Sequence, residues 1–469
     1  MKVMVWATGT AAAAVLAGAG AMALKAAAAE GAPPPATRPA SAPANPIETL
    51  RAGEWYEVPD SPMRKVAFQW PPGTTPTLNG IGIPGIMMCW SGGAYDTKRD
   101  RLIIWGGGHA AYSGNEIYVF DVNTLKWERV NDPTLNVDPQ NKWPELGVYE
   151  DGTPRSSHTY NYIQYVPAMD RFVTLGTWAT FSSGNHQTGI TFTFDFDSRK
   201  WERKSKGIAY SMGTFTAVDP VTGHLFARGN INAPHFAEWD PLTDKWTNRG
   251  EISNRTCYGK TAAIDAIARR FFAVGEGSIY KFDFSRPGNS RQEAIKTEGP
   301  QDVVNANTRG GRNKREDCTP GLDYDPVLDR IVGWVGGAEV YTLDLETLTW
   351  EQVPAAATNT VTPAGPAERG TYGRFRYVPS KNVYVVVSSV DQNVFFYRLS
   401  DRDARPIPKR FVEAVNSDDA ALVRWVAREV ARWKGEKSRP VLRAALEHHR
   451  KAGDAEIVQS LERLVGAAE

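Results

Sequence analysis

The sequence predicts an all-β protein: a six-bladed β-propeller closed by an N-terminal strand, with a small C-terminal helical segment. Three observations carry the prediction. An Asp-x5-Trp spacing recurs, a second column of aligned segments recurs once per unit, and a short β-branched run follows that column. Repetition of a strand-rich unit at a step of about fifty residues marks an array in which each unit is one sheet.

The Asp-x5-Trp pairs are Asp121/Trp127, Asp195/Trp201, Asp240/Trp246 and Asp344/Trp350. Strand-forming residues precede each Asp, a turn follows it, and a strand begins at the Trp. An Asp at that place starts the turn by bonding its own backbone, and the Trp packs the next strand. Each pair therefore reads as an outer hairpin. The second column aligns YDTKRDR, YVPAMDR, VDPVTGH, IDAIARR, YDPVLDR and YVPSKNV on Tyr95, Tyr165, Val218, Ile264, Tyr324 and Tyr377, with steps of 70, 53, 46, 60 and 53 residues. Runs such as RLIIW, RFVTL, RIVGW and VYVVV come next, so each unit reads as four strands.

Six columns give six blades. The unit around Tyr280 to Glu298 lacks its Trp, and a seven-bladed ring with one degenerate unit is the alternative count. The last unit, Arg369 to Asp401, supplies three strands and stops. Near the start, GEWYEV (Gly53 to Val58) matches KWERV of the first full blade and is a fourth strand without a blade. It is expected to complete the last blade, closing the ring and leaving no open sheet edge.

Gly106-Gly107 and Gly336-Gly337 follow second strands, with an aromatic-Asp pair and a Trp further on. This pattern resembles the kelch repeat, over about residues 47–400. The resemblance implies a propeller of the galactose-oxidase central-domain superfamily. It implies no single activity, because kelch propellers host oxidases, lyases, lectin-like binders and interaction scaffolds.

The flanks read differently. Residues 1–29 carry Lys2, an Ala- and Gly-dominated apolar stretch and an A-x-A-like site at Ala27 and Ala29, which reads as a signal peptide for a periplasmic or secreted protein; an uncleaved anchor is the alternative. Residues 30–46, rich in Pro and Ala, read as a linker between the signal and a propeller spanning 47–405. Residues 409–469 switch to helical periodicity. Leu422, Trp425, Val426, Glu429 and Trp433 form one stripe, Ser417 is the expected N-cap, RPVLRAALEHHRKAG forms a second helix and Asp454 caps a third. His448-His449 reads as a solvated face. These helices are expected to pack on the propeller or on a protein partner.

With 54 basic and 53 acidic side chains the net charge is +1, which gives no electrostatic case for nucleic acid, and after signal cleavage no stretch suits a membrane. The three cysteines, Cys89, Cys257 and Cys318, show no zinc spacing, and their odd number leaves at least one unpaired.

In a propeller, loops entering the inner strands and loops between second and third strands open on one face. The first group places Arg155, His158 and Tyr160, then Arg255, Arg315, Arg369 and Tyr372 at the channel mouth. The second group adds His109, His186, Asn232 and His235, while His224 falls on the opposite face. Arginines among histidines and tyrosines suit an acidic ligand, since a guanidinium binds carboxylate bidentately. Trp178, Tyr112 and Trp143 are candidate stacking faces for sugar rings. The matching chemistry is β-elimination from a uronic-acid glycan: arginine neutralises the carboxylate, His158 removes the α-proton, and Tyr160 or Tyr372 serves the leaving oxygen. The set is similar to that of propeller polysaccharide lyases, ulvan lyases included, although those resemble seven-bladed rings. A copper-radical oxidase is disfavoured despite Cys89, placed in the first inner strand, because the adjacent Tyr-His ligand pair is missing. No metal or cofactor is assigned. The competing reading is a non-catalytic periplasmic scaffold or glycan binder whose helices dock a protein partner.

Overall fold

The structure is a computed structural model. It describes residues 45–467, except 75–76, 78–79, 109–110, 136–146, 177, 181–184, 188, 208–212, 230–234, 253–257, 286–289, 301–303, 305–318 and 368; for 178–180, 185–187 and 467 it describes the backbone alone.

Six four-stranded antiparallel sheets form the blades. Their inner strands are Ala94–Asp96, Ile163–Val166, Phe215–Val218, Thr261–Asp265, Gly321–Asp325 and Phe375–Val378. Each inner strand lies against the next, and the sixth returns to the first, so the ring is closed. Five blades are contiguous in sequence. The sixth takes its outer strand from the N-terminus: Glu54–Glu57 pairs antiparallel with Phe395–Arg398, Trp55 opposite Tyr397. Six blades, not seven, is the observed count; the unit without a Trp is a complete sheet that ends in Gln292–Ile295.

The two repeat columns have distinct physical causes. Each Asp of the Asp-x5-Trp pairs caps its turn. Asp121 accepts from the backbone N–H groups of Asn123 and Thr124 at 2.8 Å, and Asp344 does the same with Glu346 at 3.0 Å and Thr347 at 2.9 Å. In the second column, the tyrosine hydroxyl at the end of the inner strand donates to the residue five places on. Tyr95 meets Asp100 at 3.1 Å, Tyr165 meets Asp170 at 2.8 Å, Tyr324 meets Asp329 at 2.6 Å and Tyr377 meets Asn382 at 2.8 Å. All four acceptors adopt positive φ, between 52 and 53°. Asp and Asn are the side chains that best tolerate that conformation while accepting a bond. Where the tyrosine is replaced by Val218, the left-handed position is Gly223, φ 76°, and no hydroxyl needs an acceptor there.

Between blades the core is aromatic. Trp105 and Trp201 join blades one and two at 5.7 Å, Phe236 and Phe282 join three and four at 4.4 Å, and Trp334 and Phe375 join five and six at 6.3 Å. Burying such rings supplies most of the interblade attraction, roughly 25 cal/mol for each Å² of apolar surface removed from water.

Four helices follow the ring: α2 (Lys409–Ala414), α3 (Ala420–Val430), α4 (Gly435–Ala452) and α5 (Ala455–Ala467), with α1 being the single turn Gly85–Met88 before the first blade. They pack on the propeller itself. Phe411, Trp425 and Val426 share one core with Phe215, Ile264 and Phe271 of blades three and four, and Arg410 of α2 pairs with Asp265 at 2.6 Å and Asp329 at 3.2 Å. Asp265 ends an inner strand and Asp329 lies in the turn that leaves one, so the helices cap the face opposite the expected mouth. Two sequence expectations are corrected. The N-cap of α3 is Asp419, which accepts from Ala421 and Leu422, rather than Ser417, whose hydroxyl accepts from Asp419 N–H one turn earlier. His448 is exposed, but His449 is fully buried, with Nε2 donating to the Val415 carbonyl at 3.0 Å and Nδ1 3.0 Å from Asp454. That face of α4 supports α2 instead of facing water.

Candidate ligand site at the channel mouth

The loops that enter the inner strands of blades one, two and six interlock at the axis. Tyr160 N–H donates to the Trp90 carbonyl at 2.6 Å, and Gly92 N–H donates to Thr159 Oγ1 at 2.8 Å. A Cβ at Gly92 would lie 2.2 Å from the Tyr160 carbonyl, and one at Gly373 would lie 2.2 Å from the Gly93 carbonyl, so only glycine permits this approach. Arg374 is buried and donates to Ser91 O at 2.9 Å and Val387 O at 2.8 Å, tying the sixth blade to the first. Burial pushes its guanidinium pKa down to about 9.

This frame holds an aromatic and cationic cluster. Trp90, Tyr160 and Tyr372 all carry positive φ, 47, 43 and 49°, a costly conformation for bulky residues that concentrates at functional sites. The Tyr160 ring sits 6.0 Å from Tyr372 and 6.1 Å from Tyr258. The Arg369 guanidinium lies 4.0 Å over the Trp90 ring, and the His158 ring meets the same indole edge-on at 4.9 Å. Among the described residues Arg369 has no acidic partner. His158 is nearly buried, and its Nδ1 donates to the Cys89 carbonyl at 2.7 Å. That bond selects the Nδ1–H tautomer of the neutral ring and puts the lone pair on Nε2.

The structure thus brings together His158, Tyr160, Tyr372 and Arg369 from the sequence-predicted set. Tyr372 is buried with its hydroxyl donating to the Tyr258 carbonyl at 2.9 Å, which suits a wall residue. Arg155 lies elsewhere in its contacts: its guanidinium is 5.3 Å from the Tyr149 ring, within the wall that follows the first blade. His235 opens the third strand of the third blade and pairs with Glu251 at 2.7 Å. His186 lies on a short hairpin, Trp178–Thr180 with Asn185–Gln187, inserted in the second blade. His109, Asn232, Arg255 and Arg315 lie outside the described residues, as do Trp143, Cys257 and Cys318. His224, placed on the opposite face, pairs with Glu238 at 2.6 Å. That carboxylate holds its imidazole above the usual pKa, against the opposing effect of burial.

Two further corrections follow. Tyr112 is no stacking face: it is fully buried, its hydroxyl donates to Glu116 and receives Trp70 Nε1–H at 3.1 Å. Cys89 precedes the first inner strand, as the C-cap of α1. Sequence reasoning passed over Trp90 and Tyr258. The available signal was positional, since Tyr160, Tyr258 and Tyr372 each stand three residues before an inner strand and Trp90 four before.

No family model matches the chain, and no curated protein matches it. Among solved structures it is similar to YjhT, with 12% identity over 65% of this chain and 92% of that one, TM-score 0.39. It is also similar to an auxiliary nutrient binding protein from Bacteroides ovatus ATCC 8483, with 10% identity over 65% and 68% of the two chains, TM-score 0.41. Neither likeness bears on what this chain binds.

Proposed function

We propose that this protein is an exported binder of acidic glycans that holds a uronic-acid carboxylate at the mouth of its propeller channel. The observation that carries the reading is Arg369, stacked at 4.0 Å on Trp90 with no acidic partner among the described residues. The indole holds the guanidinium flat by its π face. The in-plane N–H edge is then left for a planar carboxylate, which it matches bidentately. His158 and Tyr160 stand beside it to meet sugar hydroxyls. Arg255 and Arg315 are proposed as further basic contacts of the ligand, with His109, His186, Asn232 and His235 as polar ones, while the buried Arg155 supports the wall. The kelch resemblance is consistent with such a rim.

The test is calorimetric titration of the full chain with oligogalacturonate, oligomannuronate and a neutral glucan. Saturable binding of an acidic oligomer alone is expected, with Arg369→Ala weakening it at least about tenfold, the loss typical of a charged hydrogen-bonded contact. Equal binding of the neutral glucan, or an unchanged affinity in Arg369→Ala, overturns the reading.

A second reading, cleavage by β-elimination, rests on the His158 tautomer. With Nδ1–H fixed on the Cys89 carbonyl at 2.7 Å, the lone pair that would take an α-proton is that of Nε2, and Tyr160 is the partner that would protonate the leaving oxygen. Tyr372 serves better as support. Incubation with alginate, pectate, ulvan and glycosaminoglycans would then produce the ultraviolet absorbance of an unsaturated uronate, lost in His158→Gln. No absorbance on any of them leaves a binder without this chemistry.

A further inference from the structure

The axis has a second end, partly covered by α3, and an open cavity of about 340 Å³ lies beside that helix. That volume suits a small organic ligand. The wall is formed by inner-strand ends and the turns that follow them, largely apolar, with Tyr324, Tyr377 and Trp425 contributing rings. One buried group is only partly satisfied. Arg376, 8% exposed, lines the cavity. Its Nε donates to the Gly373 carbonyl at 3.0 Å, and its Nη2 is shared between the Gly93 carbonyl and Gln164 Oε1, each at 3.2 Å. Its Nη1 has no acceptor among the described residues. Nη1 faces accessible space instead of protein acceptors, which makes this charged donor a recognition point for a ligand oxygen.

The charges around the cavity leave an excess. Asp323 stands against Arg376, its oxygens accepting from the Tyr324 and Tyr377 backbone at 2.9 Å each. Glu429 pairs with Arg432 at 3.1 Å. Arg428, on the exposed rim of α3, has no acidic partner among the described residues. One positive charge is therefore uncompensated. We propose that this cavity is a second binding site, separate from the mouth, for a small monocarboxylate with a flat apolar body. The carboxylate would accept from Arg376 Nη1 and be drawn by Arg428, while the body lies among the tyrosine and tryptophan rings.

Benzoate is the probe, with acetate and benzyl alcohol as controls that lack the body or the charge. Titrated into the full chain and followed by ligand-detected NMR, benzoate is expected to bind saturably and at least about tenfold tighter than either control. Arg376→Lys, which keeps the charge but not the forked donors, should weaken it about tenfold. Arg428→Glu, on the exposed rim and so tolerated by the fold, should weaken it about fivefold. Saturating trigalacturonate should not displace it, which separates this site from the one at the mouth. The proposal is overturned if benzoate binds no tighter than benzyl alcohol, if Arg428→Glu leaves its affinity unchanged, or if trigalacturonate displaces it.

Discussion

Single residues decide where this propeller is rigid and where it is strained. The tyrosine-to-aspartate bond in the repeat column shows the first. Asp170 accepts from Tyr165 at 2.8 Å and from Arg99 at 2.7 and 3.0 Å, and it also receives Lys98 from the neighbouring blade. Burial alone would raise its pKa, but the bonds from Arg99, Lys98 and Tyr165 hold it well below the carboxylate range. A carboxyl with a depressed folded-state pKa contributes stability that is present above its unfolded pKa, about 3.9, and is lost as pH falls through the folded value. Asp170→Asn should therefore cost about 1–3 kcal/mol at neutral pH and flatten the acid limb of the stability profile. Urea unfolding between pH 3 and 7 checks this; an unchanged acid limb contradicts it. Strain at the mouth shows the second. Trp90, Tyr160 and Tyr372 sit in the left-handed region because their loops interlock through Gly92 and Gly373. Gly92→Ala must push its new Cβ away from the Tyr160 carbonyl, 2.2 Å from the ideal position. It should cost about 1–3 kcal/mol as an overpacking change and weaken binding at the mouth, read by denaturant midpoint and by titration. A variant as stable and as tight as the parent contradicts the interlocked mouth.

At the scale of elements, closure by the N-terminal strand was legible because GEWYEV matches the outer strand of another blade and the last blade lacks one. The structure adds what fastens it. Trp55 stacks on Tyr397 at 4.6 Å and donates Nε1–H to the Ala338 carbonyl of the fifth blade at 2.8 Å. Trp55→Ala removes both contacts at the one place where the ring is closed by pairing rather than by chain continuity. A loss of about 3–5 kcal/mol is expected, as for a buried aromatic; a loss under about 1 kcal/mol would show that the strand is not the fastener. The hairpins and inner strands were equally legible, since the Asp-to-turn and Tyr-to-Asp bonds span five residues or fewer and leave a fixed spacing. The mouth was legible only in part. Its face follows from strand order, but the stacking of Arg369 on Trp90 joins opposite ends of the propeller sequence and has no spacing to read. Buried roles hide in the same way: His449 and Tyr112 look like polar surface residues until the elements opposite them are known.

Across the whole molecule, ring and helical cap share one core and are expected to unfold as one cooperative body. The periodicity of α3 showed which of its residues would be buried but not what would cover them. The covering surface is the propeller: Trp425 and Val426 share a core with Phe215 and Phe271, and Arg410 bridges Asp265 and Asp329 of adjacent blades. Burial raises the Asp329 pKa to about 6, against the pull of Arg410 and Tyr324, so the clamp is set deep in the interface rather than at its rim. A cap docked through so much shared core has no stable interface of its own to melt separately, and domains that share a core unfold together. Trp425→Ala removes a ring lying 5.5 Å from Phe411 and 6.4 Å from Tyr324 and should cost about 3–5 kcal/mol. The expected result by calorimetry is one transition, moved down in temperature, with near- and far-ultraviolet circular dichroism still coincident. An early helical transition followed by an unshifted propeller transition would show instead that the cap is an independent unit resting on the ring. In that case the cavity beside α3 would have a wall that can move on its own.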